Sequence, residues 1–243
     1  MKTFFKYLFI ALLALTSLTA VAQDPNERGN LPNYYQQKLH FGFALSVNRT
    51  NFFIDRVEHF ERLDSIRWVN SYPKSGFNLA IVSEITLHKY VTFRFLPTLS
   101  FAERSLDFFY VAGKDSIVKT KSIESAFINF PFDFKLRSKR VKNFGAYILA
   151  GGGYSLDLSS KRKVDNTGLG VNDQIVKLKR DDFFYEGGAG AEFYLQYFKF
   201  AIEAKVSMGT LNMLQKDNTV FANAIDKLKT KVLTISITFE GGI

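Results

Sequence analysis

The sequence predicts an all-β fold, an eight-stranded antiparallel transmembrane β-barrel of the outer-membrane type. Three observations predict it: apolar residues alternate with small or polar ones over eight segments, the connections between these segments alternate in length, and 26 Phe and 11 Tyr occur among 243 residues. Alternation with a period of two is the pattern of a strand with one apolar face. Strands of about 9 to 11 residues with aromatic side chains on that face are typical of outer-membrane barrels.

The N-terminus has the pattern of a cleavable export signal. A basic start is followed by an apolar core over residues 7–18 and by the small residues Ala20 and Ala22 before the expected cleavage site. An uncleaved membrane anchor is the alternative, but the apolar run is shorter than the roughly 20 residues of a spanning helix. We therefore expect a signal peptide over residues 1–22, an N-terminal periplasmic segment over 23–38 and an outer-membrane β-barrel over 39–240.

Composition excludes several classes of function. The net charge of +9 falls to +7 when Lys2 and Lys6 leave with the signal, and the remaining basic residues are scattered among acidic ones. Export and scattered charge argue against a nucleic-acid partner. The chain has no cysteine, which excludes disulfides, a thiolate metal site and a cysteine nucleophile.

The eight predicted strands each carry alternating apolar and polar side chains, over residues 39–48, 77–87, 91–101, 128–137, 144–157, 183–195, 198–208 and 231–240. Short turns near Lys89, Lys139 and Gln196 alternate with long polar connections at 50–74, 102–122, 157–181 and 212–230. Short periplasmic turns and long outer loops are the outer-membrane arrangement. A soluble lipocalin-like barrel, with its apolar face inward, is the alternative. The placement of all long connections at one end favours the membrane barrel.

Charged residues recur on the polar faces of the strands. If the apolar faces contact lipid, eight of these residues point into the lumen: Glu84, Arg94, Asp133, Lys135, Glu186, Glu192, Glu203 and Lys205. Unpaired charges there would be costly, so opposite signs are expected to pair in a lumen charge network. An eight-stranded barrel is filled by its own side chains, which argues against a water-filled pore. A proton or ion path is the alternative role for these charges.

Glycines and histidines carry no recognisable catalytic pattern. The run from Gly151 to Gly153 lacks the context of a phosphate-binding loop and is expected either to make room for a bulky neighbour or to bend the strand. His40 and His88 are expected near one another at the periplasmic mouth, exposed to solvent, and His59 lies in the first long connection. Zinc catalysis usually takes three protein ligands. We therefore expect no catalytic residue, no metal and no cofactor.

Two connections are candidates for binding a partner. Alternation continues through Leu106 and Ile117 on either side of residues 113–115, which predicts a hairpin whose backbone could accept a partner strand. The turn between the fourth and fifth strands has four basic residues and no acidic one, and it is a possible docking patch for an acidic periplasmic partner. Its basic residues are Arg137, Lys139, Arg140 and Lys142. An unoccupied hairpin and a solvated turn that buries nothing are the alternatives.

Four strand segments resemble the PorT (SprT) family of Bacteroidetes outer-membrane proteins. These are LHFGFALSV from Leu39, GFNLAIVSEITL from Gly76, VTFRFLPTLSF from Val91 and YFKFAIEAKVSMG from Tyr197. The proline within the third is the most specific feature, because proline is uncommon inside strands. The C-terminus departs from the usual ending of such barrels, since Phe239 is followed by four further residues.

The resemblance implies a non-catalytic component or accessory of type IX protein secretion, a process associated with gliding motility. Its partners would be outer-membrane lipid and other type IX secretion proteins, periplasmic or outer-membrane, and no small-molecule substrate is expected. A stand-alone small barrel acting as an envelope stabiliser or adhesin is the alternative. A small-barrel enzyme is a third hypothesis, but among the histidines only His59 is available at the extracellular rim to act as a base.

Overall fold

A computed structural model describes residues 29–57, 66–112, 115–160, 176–217 and 219–242. The predicted signal peptide and His59 lie outside this part of the chain. The strands are β1 Leu39–Arg56, β2 Ile66–His88, β3 Val91–Phe95, β4 Thr98–Ala112, β5 Asp115–Arg137, β6 Phe144–Asp157, β7 Asp181–Tyr194, β8 Lys199–Gly209 and β9 Ile225–Gly242. A 3₁₀ turn, Tyr34–Gln36, precedes β1, and a four-residue helix α1, Val220–Asn223, precedes β9. Within the described residues no helix is both long and apolar enough to cross a membrane.

The strands form a closed antiparallel ring. β1 pairs with β2 on one edge and with β9 on the other, which closes the sheet. β3 and β4 together occupy one position in the ring, because both pair with β2 and with β5. The ring therefore has eight positions, and the predicted eight-stranded antiparallel barrel is confirmed.

Leu96 and Pro97 interrupt what the sequence predicts as one strand. Proline has no N–H to donate to the sheet. The hydrogen bonds around it are nevertheless kept, because Leu96 N–H donates to Pro131 O (3.2 Å) and Pro97 O accepts from Ile81 N–H (3.1 Å). The interruption thus leaves the wall continuous, as expected for proline at a local irregularity in a strand.

An apolar band covers the outside of the barrel. On β1 its members are Leu39, Phe41, Phe43, Leu45 and Val47, all exposed. Aromatic rings stack across neighbouring strands within the band, with 5.0 Å between the ring centroids of Phe43 and Phe239 and 4.8 Å between those of Phe95 and Phe132. An outward apolar face with aromatic pairs is the surface that a barrel presents to lipid.

Two of the predicted long connections are largely strand. β1 and β2 extend far into residues 50–74, and β4 and β5 stay paired up to Ala112 opposite Asp115, which confirms the predicted hairpin. These extensions are ordered because their inward side chains pack in an apolar cluster, here called the extracellular cap. It consists of Phe52, Ile66, Val69, Leu106, Phe108, Val176, Leu178, Met213, Leu214, Ala224, Ile225 and Leu228.

The wall is taller on one side than on the other. Beyond the apolar band, residues 49–56, 66–74, 102–112, 115–126 and 225–232 form an extracellular extension, whereas β6, β7 and β8 end near its base. Residues 176–180 and 210–215 cross inside this extension. They are joined to each other by Lys179 N–H donating to Met213 O (2.7 Å) and Gln215 N–H donating to Lys177 O (3.0 Å). This crossing contributes four side chains to the extracellular cap.

The apolar band predicts how polar substitutions act. Phe43→Arg places a charge midway along the outward apolar face of β1 and should cost about 2–4 kcal/mol of unfolding free energy. Phe53→Arg lies on the same face but beyond the band, so its cost should be about 0–1 kcal/mol. Both side chains are at least half exposed. Urea unfolding in lipid vesicles, with heat-modifiable gel migration as the folding assay, measures the difference; equal costs would contradict the membrane placement.

Candidate functional site

The eight charged residues predicted for the lumen all lie inside the ring, none more than 6% exposed. Period-two alternation places them there because each strand turns its other face to the apolar band. The strands bring these side chains together in two adjoining groups.

The first group lies midway along the lumen. The Arg94 guanidinium is 2.8 Å from Glu203 Oε2 and 3.4 Å from Asp133 Oδ2. Lys205 Nζ is 2.7 Å from Glu186 Oε1 and 3.7 Å from Asp133 Oδ2. Asp133 therefore joins the two cations, and this group holds two cations among three carboxylates.

The second group closes the periplasmic end of the lumen. Lys135 Nζ lies 3.1 Å from Glu84 and 2.6 Å from Glu192. Lys199 Nζ lies 3.2 Å from Glu84, 3.3 Å from Glu192 and 2.6 Å from Glu240. Two ammonium groups are thus shared among three carboxylates. Lys199 and Glu240 were missing from the predicted network. Both occupy inward, polar positions of their strands, and the same alternation that identified Glu203 and Lys205 could have identified them.

Glycines on the inner wall make room for the larger side chains. A Cβ on Gly190 would lie 2.4 Å from Cζ of Tyr147, whose hydroxyl donates to Glu203 Oε2 (2.8 Å). A Cβ on Gly153 would lie 2.8 Å from the ring of Phe184, and one on Gly151 would overlap the Asp133 carboxylate. The expectation that this glycine run accommodates bulky neighbours is confirmed.

An N-terminal strap, residues 29–36, covers the periplasmic mouth. Tyr34 is 4% exposed, and its hydroxyl donates to Glu240 Oε2 (3.3 Å). The hydroxyl of Tyr35 donates to Glu192 Oε2 (2.7 Å) and also contacts the hydroxyl of Tyr194. Burial raises the pKa of both strap phenols well above the ordinary value. The strap therefore supplies neutral donors to carboxylates that the two lysines share.

The two mouth histidines differ in their surroundings. His40 is completely buried, stacked on Tyr34 at 4.0 Å between ring centroids, and its Nε2 donates to Tyr34 O (2.7 Å). His88 is exposed at the end of β2. The expectation of two solvated residues is wrong for His40, because the strap covers it. Among the described residues, no three potential metal ligands are grouped closely enough to hold an ion.

The basic turn is partly used by the structure itself. Arg137 donates to Lys89 O (3.1 Å from Nε and 2.7 Å from Nη2) and lies over the ring of Tyr35 at 3.0 Å. The assumption that this turn buries nothing is therefore wrong for Arg137, which is 6% exposed.

Arg140 in the same turn holds the strap. It donates to Leu31 O (3.0 Å) and to Asn30 O, and it lies 3.8 Å over the ring of Tyr194. Burial lowers the pKa of the Arg140 guanidinium. Of the predicted docking patch, Lys139 is exposed on the periplasmic surface, and Lys142 adopts a positive φ of 51°.

A further buried cation lies at the base of the extracellular extension. The Arg104 guanidinium is placed between the rings of Phe52 (4.7 Å) and Phe127 (4.8 Å), and it is 3.5 Å from Asp157 Oδ2. Sequence reasoning missed it because it falls within the predicted connection 102–122. Cation–π contacts with two rings together with a carboxylate explain why a guanidinium is tolerated there.

A cavity of about 90 Å³ lies between the charged groups and the extracellular cap. Apolar side chains and the charged groups of Glu186 and Lys205 line it together with hydroxyl and amide side chains, among them Ser46, Asn78, Ser100, Asn129 and Ser236. A polar cavity of this size holds several water molecules. The lumen is therefore filled with side chains at both ends and contains a polar chamber between them.

The comparisons with known proteins agree with this architecture. Residues 21–215 match the family model described as outer membrane protein beta-barrel domain. The chain belongs to this family. Its place is the outer membrane. No curated protein matches the chain in sequence, and the likeness to the PorT family remains a prediction.

Two solved outer-membrane structures align with most of this chain. OprG from Pseudomonas aeruginosa aligns over 85% of this chain and 96% of its own, with 12% identity and a TM-score of 0.47. Ail of Yersinia pestis, solved with the heparin analogue sucrose octasulfate, aligns over 84% of this chain and 99% of its own, with 14% identity and a TM-score of 0.36.

The lysine shared by three carboxylates should be critical for the stability of this outer-membrane barrel. In Lys199→Met, Lys135 is the one ammonium group left beside Glu84, Glu192 and Glu240. Because this leaves buried carboxylates uncompensated, the free energy of unfolding should fall by about 3–5 kcal/mol. Adding Glu240→Gln removes one excess charge and should recover part of that loss. Urea unfolding of the single and double variants gives the coupling energy, and strictly additive losses would contradict the shared-charge arrangement.

The buried phenols predict that docking of the strap depends on pH. Because the pKa of Tyr34 and Tyr35 is raised on docking, the docked strap holds its protons more tightly than the free one. Its stability is fully present below pH about 10 and falls as the pH rises beyond that. Limited proteolysis of residues 29–36 at pH 8 and pH 11 should detect the release. Proteolysis of a Tyr34→Phe, Tyr35→Phe variant should depend less on pH than that of the wild type. If the variant shows the same pH dependence as the wild type, the two phenols do not control docking.

Proposed function

We propose that this chain is a non-catalytic, non-conducting outer-membrane barrel that stabilises the cell envelope and presents a rigid extension outside the cell. The observation that carries the proposal is the double closure of the lumen. At the periplasmic end the shared-charge cluster is covered by the strap, and at the other end apolar side chains fill the extension.

Each closure opposes transport for a different reason. An ion at the periplasmic end would have to displace Lys199 from carboxylates at 2.6 to 3.3 Å, which uncovers buried charge. An ion at the extracellular end would meet a packed apolar cluster that offers it no ligands. Two successive barriers of this kind suit a structural or binding role better than a channel.

The closed lumen predicts the absence of current. Purified full chain inserted in planar bilayers should give no conductance steps above the baseline, with a porin inserted under the same conditions as a positive control. Regular open-channel steps in bilayers that contain this chain alone would overturn the proposed closure.

The cellular role has a separate test. Deleting the gene should make cells sensitive to detergent and to chelation of divalent cations while protein export continues, and the wild-type gene should restore resistance. Intact resistance together with lost secretion would reject the envelope role and favour an accessory of type IX secretion.

The secretion role is the second candidate, supported by the resemblance to the PorT family and by one surface. β5 pairs with β6 only from Phe127 opposite Asp157 onward, and Leu158 N–H donates to Ala126 O (2.8 Å), so residues 115–125 of β5 run beyond the end of β6. Among the described residues no other strand pairs with this stretch on that side, and a strand edge of this kind can accept an extended strand from a partner. Lys139, exposed on the basic turn, is a second contact point for an acidic periplasmic protein.

The exposed edge provides a sharp test of partner binding. Thr120→Lys with Ser122→Lys adds charge along the β5 edge and should reduce copurification of secretion proteins. Asp107→Lys, which changes the net charge by the same amount on β4 at a position paired with β2 and with β5, is the control and should have no effect. If both variants copurify and secrete like the wild type, the edge is not a docking site.

A further inference from the structure

The outer face of the extracellular extension carries an uninterrupted row of cations on β9. Its outward positions beyond the apolar band are Lys231, Lys229 and Lys227, because Leu233 and Ile235 are the exposed positions before them. On β1 the corresponding side chain is Arg49, whose Cα lies opposite Leu233. We call Arg49, Lys227, Lys229 and Lys231 the basic ridge. Alternate positions on a strand are about 7 Å apart, so the three lysines span about 13 Å.

Few acidic residues face this ridge. Asp55 lies opposite Lys227 in the β1–β9 register, and Asp226 Oδ2 is 4.0 Å from Lys227 Nζ. Asp226 also contacts Lys216 at 3.4 Å. Within the described chain, Arg49, Lys229 and Lys231 take part in no ion pair, which leaves an excess of positive charge on the exposed surface.

The ridge lies at the level where the lipid-facing surface ends. Val47, the last member of the apolar band on β1, is 61% exposed, and Arg49 is the next outward residue. Phe53, 60% exposed, lies opposite Lys229 and places an aromatic ring among the cations. Cations beside exposed aromatic side chains are characteristic of surfaces that contact lipid headgroups. Gly29 and Gly242, where the described chain starts and stops, and the short turns lie at the other end, so this end faces the outer leaflet.

We propose that the basic ridge binds the phosphate groups of phosphorylated glycolipid in the outer leaflet. Arg49 can engage a phosphate with two parallel hydrogen bonds, and the lysines act as point charges. The cations are spaced by a two-stranded ribbon that is hydrogen-bonded over its length, so little backbone order is lost on binding. Each basic side chain near an anionic surface strengthens binding by roughly fivefold. The inference deepens the proposed envelope role and rests on it, because lipid held by its phosphates would anchor the barrel in its surroundings.

Native mass spectrometry of the purified full chain in detergent tests this directly. The probe is diphosphorylated lipid A, with fully dephosphorylated lipid A as the matched ligand. The test variant is Lys229→Gln with Lys231→Gln. The control variant is Lys38→Gln with Lys89→Gln, which removes the same charge from exposed residues at the periplasmic end. Heat-modifiable migration verifies that each variant is folded, and Lys229→Arg with Lys231→Arg should retain binding.

Loss of the two ridge lysines should weaken binding of diphosphorylated lipid A by about tenfold or more, whereas the control should bind like the wild type. Dephosphorylated lipid should bind all variants equally and weakly. The proposal is overturned if the ridge variant binds like the control, or if the two lipids bind alike. It is also overturned if inorganic phosphate at the same phosphate concentration displaces the lipid, since the site would then be a simple anion site. Binding without envelope fragility in the deletion strain would refute the envelope role alone.

Discussion

Lipid surrounds the wall of this barrel and offers no hydrogen-bond partner, so every backbone N–H and C=O group in the hydrocarbon layer must be paired with a neighbouring strand. Closure between β1 and β9, continuous from His40 to Asp55, meets this requirement. Because side chains alternate along a strand, closure also divides them into one set facing lipid and one set facing a narrow lumen. The charged members of the polar set are buried there, away from bulk water. Its charges therefore have to be compensated by one another.

The lumen charge network is stable only as a set. Removing one member of a buried ion pair leaves an uncompensated charge, which costs more than the pair contributes. The two lysines at the periplasmic end do not saturate the oxygens of Glu84, Glu192 and Glu240. Hydroxyl groups of Tyr34 and Tyr35 donate to two of these carboxylates, and Arg137 and Arg140 hold the strap that carries those tyrosines. The N-terminal segment thus belongs to the electrostatics of the barrel interior.

Strand pattern and lumen charges could be predicted because both follow from period two. The contacts of the strap could not, since Tyr34 meets Glu240 across 206 residues and no local pattern encodes that pairing. A basic turn has the same sequence whether its arginines are solvated or bound to carbonyl groups, so Arg137 and Arg140 were read as free. Lys199 and Glu240 were overlooked because each stands near the end of its strand. Arg104 was hidden within a segment interpreted as a loop.

That misinterpretation has a physical origin, which also locates the outer boundary of the membrane. On β1 the outward positions change from apolar to charged between Val47 and Arg49. The inward positions change from polar to apolar between Thr50 and Phe52, at nearly the same level. β9 makes the same exchange between Leu233 and Lys231. Below this level apolar groups face lipid and charges face the lumen, whereas above it the apolar cap packs inside and the lysines of β9 face water. In such a strand the apolar side chains move from one face to the other partway along. A search for one continuous apolar face therefore ends the strand too early, although its backbone pairing is unbroken. The inversion on both strands marks the level at which the solvent around the barrel changes from hydrocarbon to water.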